Sequence, residues 1–150
     1  MEEMPGFMVI TINNKSYFFY NRFDSDYLFH NTIKFLKFLL NKYTNDAILK
    51  MVSEIEFIHA DLVNFRGYDG EECGSDFNEF GYVVDDEDRA WNNRHLSLFK
   101  IFRDKKAYWD RCFDGIACQN IILDFDNEIV YYSESKPTKI LFGDIKKIIE

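Results

Sequence analysis

The chain of 150 residues has only two prolines, seven glycines and three cysteines. Without a Pro- or Ser-rich linker or an internal repeat, one domain spanning residues 1–150 is expected. The cysteines, Cys73, Cys112 and Cys118, are odd in number and lack a CxxC pair. That argues against a disulfide framework and favours a reducing, cytoplasmic setting. No apolar run approaches 18 residues, so no membrane-spanning helix is expected. The start, Met1-Glu2-Glu3-Met4-Pro5, has acids where a signal peptide needs cations. Lys and Arg total 18 against 26 acids, a net charge of −8. That balance is wrong for general nucleic-acid binding, in which cations replace counterions along the phosphates. His30, His59 and His95 are far apart, and no HExxH or Cys/His spacing suggests zinc. GxSxG, a glycine-rich phosphate loop and a Walker lysine are all missing. No cofactor is implied.

What the chain does have is apolar and aromatic material. Hydrophobic residues make up 47%, with 16 Phe and nine Tyr among them. A chain of this length can bury roughly 68–70% of its unfolded surface, so a core needs no staples. Residues 7–12 and 15–20 are apolar runs around Asn13-Asn14, a pair that tolerates positive φ; they read as a tight hairpin of central strands. Asp24, Ser25 and Asp26 then open a helix with capping oxygens and favourable charge. Its polar stripe is His30, Lys34, Lys37 and Asn41, and nearly everything else to residue 43 is apolar. Such a helix packs centrally against a sheet; a membrane-surface helix is the sharper alternative, but its lysines are few. Thr44 caps a second helix to about residue 53. Residues 54–65 fit either a continued helix or a strand with Ile55, Phe57 and His59 on one side.

Further along, residues 80–84 read as a short strand and 96–102 as strand or helix. Residues 104–113 read as a short helix closed by Asp114-Gly115. Residues 116–125 and 128–132 form a hairpin turned at Asp126-Asn127. Pro137 begins an edge-like segment to residue 142. Asp144 is expected to cap a terminal helix with Ile145, Ile148 and Ile149 inward. Hairpins interrupted by helices, without βαβ alternation, predict an α+β fold: a mostly antiparallel sheet of hairpins packed against a long apolar helix and shorter helices.

Residues 67–88 stand apart. They hold nine acids and no Lys or Arg, with four of the seven glycines and four aromatics. The other 128 residues sum to +1, so the chain is a nearly neutral, Phe-rich protein with one anionic segment. The bland reading is a solvated loop that aids solubility. The functional reading is a surface for a basic partner, which relieves carboxylate repulsion and is steered by it. Tyr68, Phe77, Phe80 and Tyr82, with Trp91 nearby, supply candidate anchors, and Asp69, Glu71, Glu72, Asp76, Glu79, Asp85, Asp86, Glu87 and Asp88 supply charge. The EF-hand spacing for calcium is missing.

Other constellations have plainer explanations. Asp124, Asp126 and Glu128 can converge at a hairpin tip as in two-metal sites, or simply line an outer face and turn. His95 and Cys112 would be a base and a nucleophile only if the thiolate were stabilised, and Cys112 falls near an unfavourable helix end. His59, among apolar residues, reads as a satisfied core histidine. Tyr108 and Trp109, with Lys105, Lys106 and Arg111, could stack bases, but helix packing of Trp109 explains them as well.

A single cytoplasmic α+β domain, the acidic-aromatic stretch at 67–88 and the lack of a catalytic signature together resemble the small acidic immunity proteins that bacteria pair with secreted toxins. The resemblance is one of class. It implies a non-enzymatic inhibitor that holds a basic toxin, often a nuclease, in a stoichiometric complex. Asp69, Glu71, Glu72 and Asp76 would then occupy phosphate-binding cations, while Tyr68, Phe80 or Tyr82 fill a pocket. No direct contact with nucleic acid or membrane is implied. A phage-type inhibitor of a host nucleic-acid-binding defence complex would use the same physics. The alternatives are a metal-dependent enzyme at 124–128 and a structural subunit that buries its aromatics against copies of itself.

Overall fold

The computed structural model describes residues 5–68, 76–110, 119–133 and 137–148. Strand β1 (Gly6–Ile12) turns at Asn13-Asn14 into β2 (Lys15–Asn21). Both asparagines have positive φ, 54° and 62°, as a type I′ turn requires. Next come α1 (Ser25–Lys42), α2 (Asn45–Ser53), β3 (Glu56–His59) and a 3-10 turn at Ala60–Val63. They are followed by α3 (Asp86–Asn92), α4 (Leu98–Asp104), β4 (Lys106–Trp109), β5 (Gln119–Asp124), β6 (Ile129–Ser133), β7 (Pro137–Leu141) and α5 (Phe142–Lys146). The fold is α+β, as the hairpin pattern predicts.

The main sheet has the order β2-β1-β5-β6-β7, and β3 pairs with β4 separately. All pairs in the main sheet are antiparallel except β1 with β5. β1 is therefore central, whereas β2 is an edge strand of this sheet, contrary to the expectation of two central strands. An isolated bridge from Phe18 to Asp110 links the β2 edge to the end of β4. β7 is the other edge, and Pro137 opens it as expected. Met8, Ile10 and Ile12 alternate on the face of β1 that joins the main core with Ile121, Leu123 and Val130. From α1, Leu28, Phe35, Leu36, Leu39 and Leu40 pack into the same core. Among the described residues no helix is long and apolar enough to cross a membrane.

Several local expectations give way to tertiary pairing. The helix expected over 104–113 is not formed at 105–110, and residues 111–113 lie outside the described residues. α4 ends at Asp104, Lys105 takes φ 56°, and the chain turns into β4, which pairs in parallel with β3. Alanine at 107 faces inward, and Tyr108 and Trp109 suit a pleated, half-buried strand. The same pairing makes residues 56–59 a strand. His59 is no core histidine: its Nδ1 accepts the Asp61 N–H at 3.1 Å, capping the 3-10 turn, and its ring lies edge-on to Trp109 at 4.4 Å. Residues 98–104 are helical, with Ser97 accepting the Lys100 N–H as N-cap. The terminal helix begins at Phe142 rather than at Asp144; Ile145 is buried but Ile148 is exposed, and Ile149 lies outside the described residues.

Candidate functional site

Asp69, Glu71 and Glu72 of the acidic stretch lie outside the described residues, as do Arg111 and Cys112. The fold treats residues 76–88 in three ways. All the aromatics but Phe77 go inward. Tyr68, Phe80, Tyr82 and Trp91 are all buried core members. Tyr82 stacks edge-on against Phe35 at 5.0 Å and Phe38 at 4.9 Å, and Phe80 lies 6.1 Å from Phe35. The Tyr68 hydroxyl accepts the Tyr108 N–H at 2.8 Å, and the Trp91 indole N–H donates to the Leu96 carbonyl at 2.8 Å. These four residues hold the protein together, which corrects their expected place as anchors in a partner's pocket: filling such a pocket would first unpack the core. Phe77 and Val83 are the side chains that stand out, 83% and 86% exposed.

Some carboxylates also go inward. Residues 80–84 are not a strand; they run irregularly over the helices, with Phe80, Tyr82 and Val84 buried and Gly81 and Val83 exposed. At the end of this run Asp85 caps α3, accepting the Asp88 N–H at 2.9 Å. Asp86, Glu87 and Asp88 occupy the first turn, where the helix dipole favours acids. Asp88 is only 1% exposed. It meets a row on α1 spaced four and three residues apart, which puts all three on one helix face. Tyr27 donates its hydroxyl to Asp88 at 2.7 Å, Asn31 its amide at 3.1 Å and Lys34 its ammonium at 2.7 Å. Lys34 also pairs with Asp85. Asp88 is thus a structural pin between α1 and α3, not a charge at an interface rim, and Lys34 leaves the solvent stripe the sequence pattern gave it.

This arrangement moves several titrations. Burial alone would lower Lys34, but hydrogen bonds to Asp85 and Asp88 outweigh it and hold the ammonium above its ordinary range. Burial, then the hydrogen bond and charge of Asp88, push the Tyr27 hydroxyl well upward. The Asp88 N–H, followed by Lys34, holds Asp85 below the usual carboxylate range.

The outer carboxylates have their own cations. Arg89 pairs with Asp76 and, at 2.7 Å, with Asp86; Lys105 pairs with Glu79 at 3.1 Å. Residues 76–88 hold six acids, and Lys34, Arg89 and Lys105 partner five of them. The free excess on this described part is three negative charges, with Glu87 exposed. The stretch has no cation within it, yet folding supplies three. Arg89 directly follows the segment, so sequence could have shown it; Lys34 and Lys105 arrive only through the packing of α1 and α4. Phe77, Glu79, Val83, Asp86 and Glu87 are the exposed apolar and acidic side chains that result.

The other constellations resolve into structural roles. Asp126 accepts the N–H groups of Asn13 and Asn14, both at 2.8 Å, and so ties one hairpin turn to the other. Asp124 accepts the Asn127 N–H and side-chain amide, and Glu128 accepts from Asn45. Among the described residues no three His, Cys, Asp or Glu side chains are placed to hold a metal ion. His95 packs against Trp91 at 4.3 Å and Phe23 at 5.9 Å. Tyr108 stacks on Phe65 at 4.4 Å. Compared with protein-family models, curated proteins and solved structures, the chain matches none.

Proposed function

We propose that the protein is a cytoplasmic binding protein of the immunity class, which neutralises a basic protein, a toxin or nuclease domain, by forming a stoichiometric complex. The contact is the outer surface of residues 76–88. One observation carries the reading: Phe77 and Val83 stand exposed among Glu79, Asp86 and Glu87 in a stretch whose other large apolar side chains are buried. Apolar side chains left in water beside charge of one sign suit a partner that is apolar at the contact and basic at the rim. Exposed Glu87 and the surplus of carboxylates over cations supply steering, while Phe77 and Val83 supply area that is removed from water. A phage-type inhibitor of a nucleic-acid-binding defence complex would be served by the same surface.

The test captures partners from the source cell with the tagged protein, purifies the captured protein and measures association with Glu79→Lys, Asp86→Lys, Glu87→Lys combined, and with Val83→Asp separately. The reading expects a basic partner bound one to one, slower association of the charge-reversed form with a flatter salt dependence, and faster dissociation of Val83→Asp. Failure to capture a basic protein at low salt, or kinetics unchanged in both variants, would overturn it.

A further inference from the structure

We infer that residues 76–85 form an ionically latched strap over an aromatic groove between α1 and α4, and that ionic strength sets how often the strap lifts. Three observations converge on it. The first is shape. The strap is irregular, turning at Glu79-Phe80 with Phe80, Tyr82 and Val84 inward, and among the described residues it pairs with no strand. Its inward rings lie on Phe35 and Phe38 of α1 and on Phe99 and Phe102 of α4, with Tyr82 5.4 Å from Phe99 and Phe80 6.5 Å from Phe102.

The second is how its backbone is held. A strand of the main sheet is held by a ladder, whereas the strap is tied by side chains. Asn78 accepts the Tyr82 N–H at 2.9 Å and donates to the Tyr82 carbonyl at 3.0 Å. Lys42 donates to the Phe80 carbonyl, and Arg89 to that of Val84 at 3.4 Å. Gly81, at φ 73°, provides the bend beside Lys42, and an added Cβ there would lie 3.4 Å from the Lys42 ammonium.

The third is the latch. Ion pairs fix the strap at both ends and in the middle: Asp76 to Arg89, Glu79 to Lys105 and Asp85 to Lys34. The cations come from three separate places in the fold, so the strap cannot leave without breaking all three. Glu79 and Lys105 are 64% and 50% exposed in their side chains, and Arg89 is 46% exposed, so salt reaches these pairs directly. Segments held by few backbone bonds and exposed ties open below the energy of global unfolding. A basic partner would compete for the same carboxylates, but the latch stands without one.

Hydrogen exchange by mass spectrometry on the free full-length protein tests this. Between 0.05 and 1 M NaCl, peptides spanning 77–84 are expected to exchange roughly three- to tenfold faster, while β1 and β5 peptides hold steady. Arg89→Gln with Lys105→Gln should give the fast rate at low salt and abolish most of the salt response. Exchange over 77–84 that ignores salt, or that moves in step with β1 and β5, would overturn the inference. So would a double variant whose strap keeps the wild-type rate and salt response.

Discussion

Removing the carboxylate of Asp88 probes the pin between α1 and α3. Asp88→Ala deletes the acceptor for Tyr27 at 2.7 Å, Asn31 at 3.1 Å and Lys34 at 2.7 Å. Hydrogen bonds to charged groups contribute roughly 1.5–3 kcal/mol each, and breaking a buried pair from one side costs about 3–5 kcal/mol. Both figures need reduction here. Lys34 is 23% exposed in its side chain and keeps Asp85, and Asn31 keeps the Asn92 side-chain oxygen Oδ1 at 3.3 Å. The net cost is therefore about 3 kcal/mol for Asp88→Ala. Asp88→Asn, which retains one acceptor oxygen but not the charge, should cost about half that.

Urea unfolding measures the effect. With an m value of about 2 kcal/mol/M, a cost of about 3 kcal/mol lowers the midpoint by about 1.5 M at unchanged m. Lys34→Met should cost a similar amount, because it leaves a carboxylate that is 2% exposed beside no cation. Combined with Asp88→Leu, which removes both charges, it should cost less than the two single changes together by at least about 1 kcal/mol. The reasoning is refuted if Asp88→Ala costs under about 1 kcal/mol, or if the two sites add without coupling.

Two further changes test other joints. Burial raises the Asp110 carboxyl above its ordinary value of 3.8, against the Tyr20 N–H that it accepts at 3.2 Å. A group with a raised folded pKa contributes most below its unfolded pKa and loses that contribution as pH rises through the folded pKa. Asp110→Asn keeps an acceptor for Tyr20 and removes the buried charge, so it should raise the melting temperature at pH 7. The gain should close below about pH 4; a gain that is independent of pH would refute the assignment. Asp126→Ala removes the acceptor of two backbone N–H groups at exposed turns and should cost about 1–2 kcal/mol in urea. A loss of under about 0.3 kcal/mol would mean that water replaces the carboxylate without penalty.

How far sequence reached depends on the range of the interaction that decides each element. The first hairpin was legible because Asn13-Asn14 can adopt positive φ and the runs beside it are apolar. α1 and α2 were legible because Asp24 and Thr44 cap them and their apolar positions repeat at helical spacing. The stretch at 104–109 was not, because β3 decides it from some 50 residues away and a left-handed Lys105 is not a recognised stop. Residues 80–84 are a half-legible case. Their two-residue alternation is real, but it records burial on a helix pair rather than a place in a sheet. Alternation tells which side chains are covered, and by itself does not tell what covers them.

The same distinction governs the acidic stretch. Counting residues locates an excess of charge and a supply of aromatics in one segment, a pattern that points to one surface for both. Folding separates them. Phe80 and Tyr82 turn toward α1 and α4, Asp88 turns toward Tyr27 and Lys34, and what faces water is Phe77, Val83 and carboxylates whose cations sit beside them. The basic partner we propose would therefore meet a surface whose charge is already partly neutralised from within. Its electrostatic gain comes from Glu87 and from displacing Arg89 and Lys105, and displacing a cation already in place gives much less than pairing with a bare carboxylate. Affinity must then rest more on the exposed apolar pair, and charge more on rate. This is why Val83→Asp should act on dissociation and the triple reversal on association, a division that a uniformly charged loop would not produce.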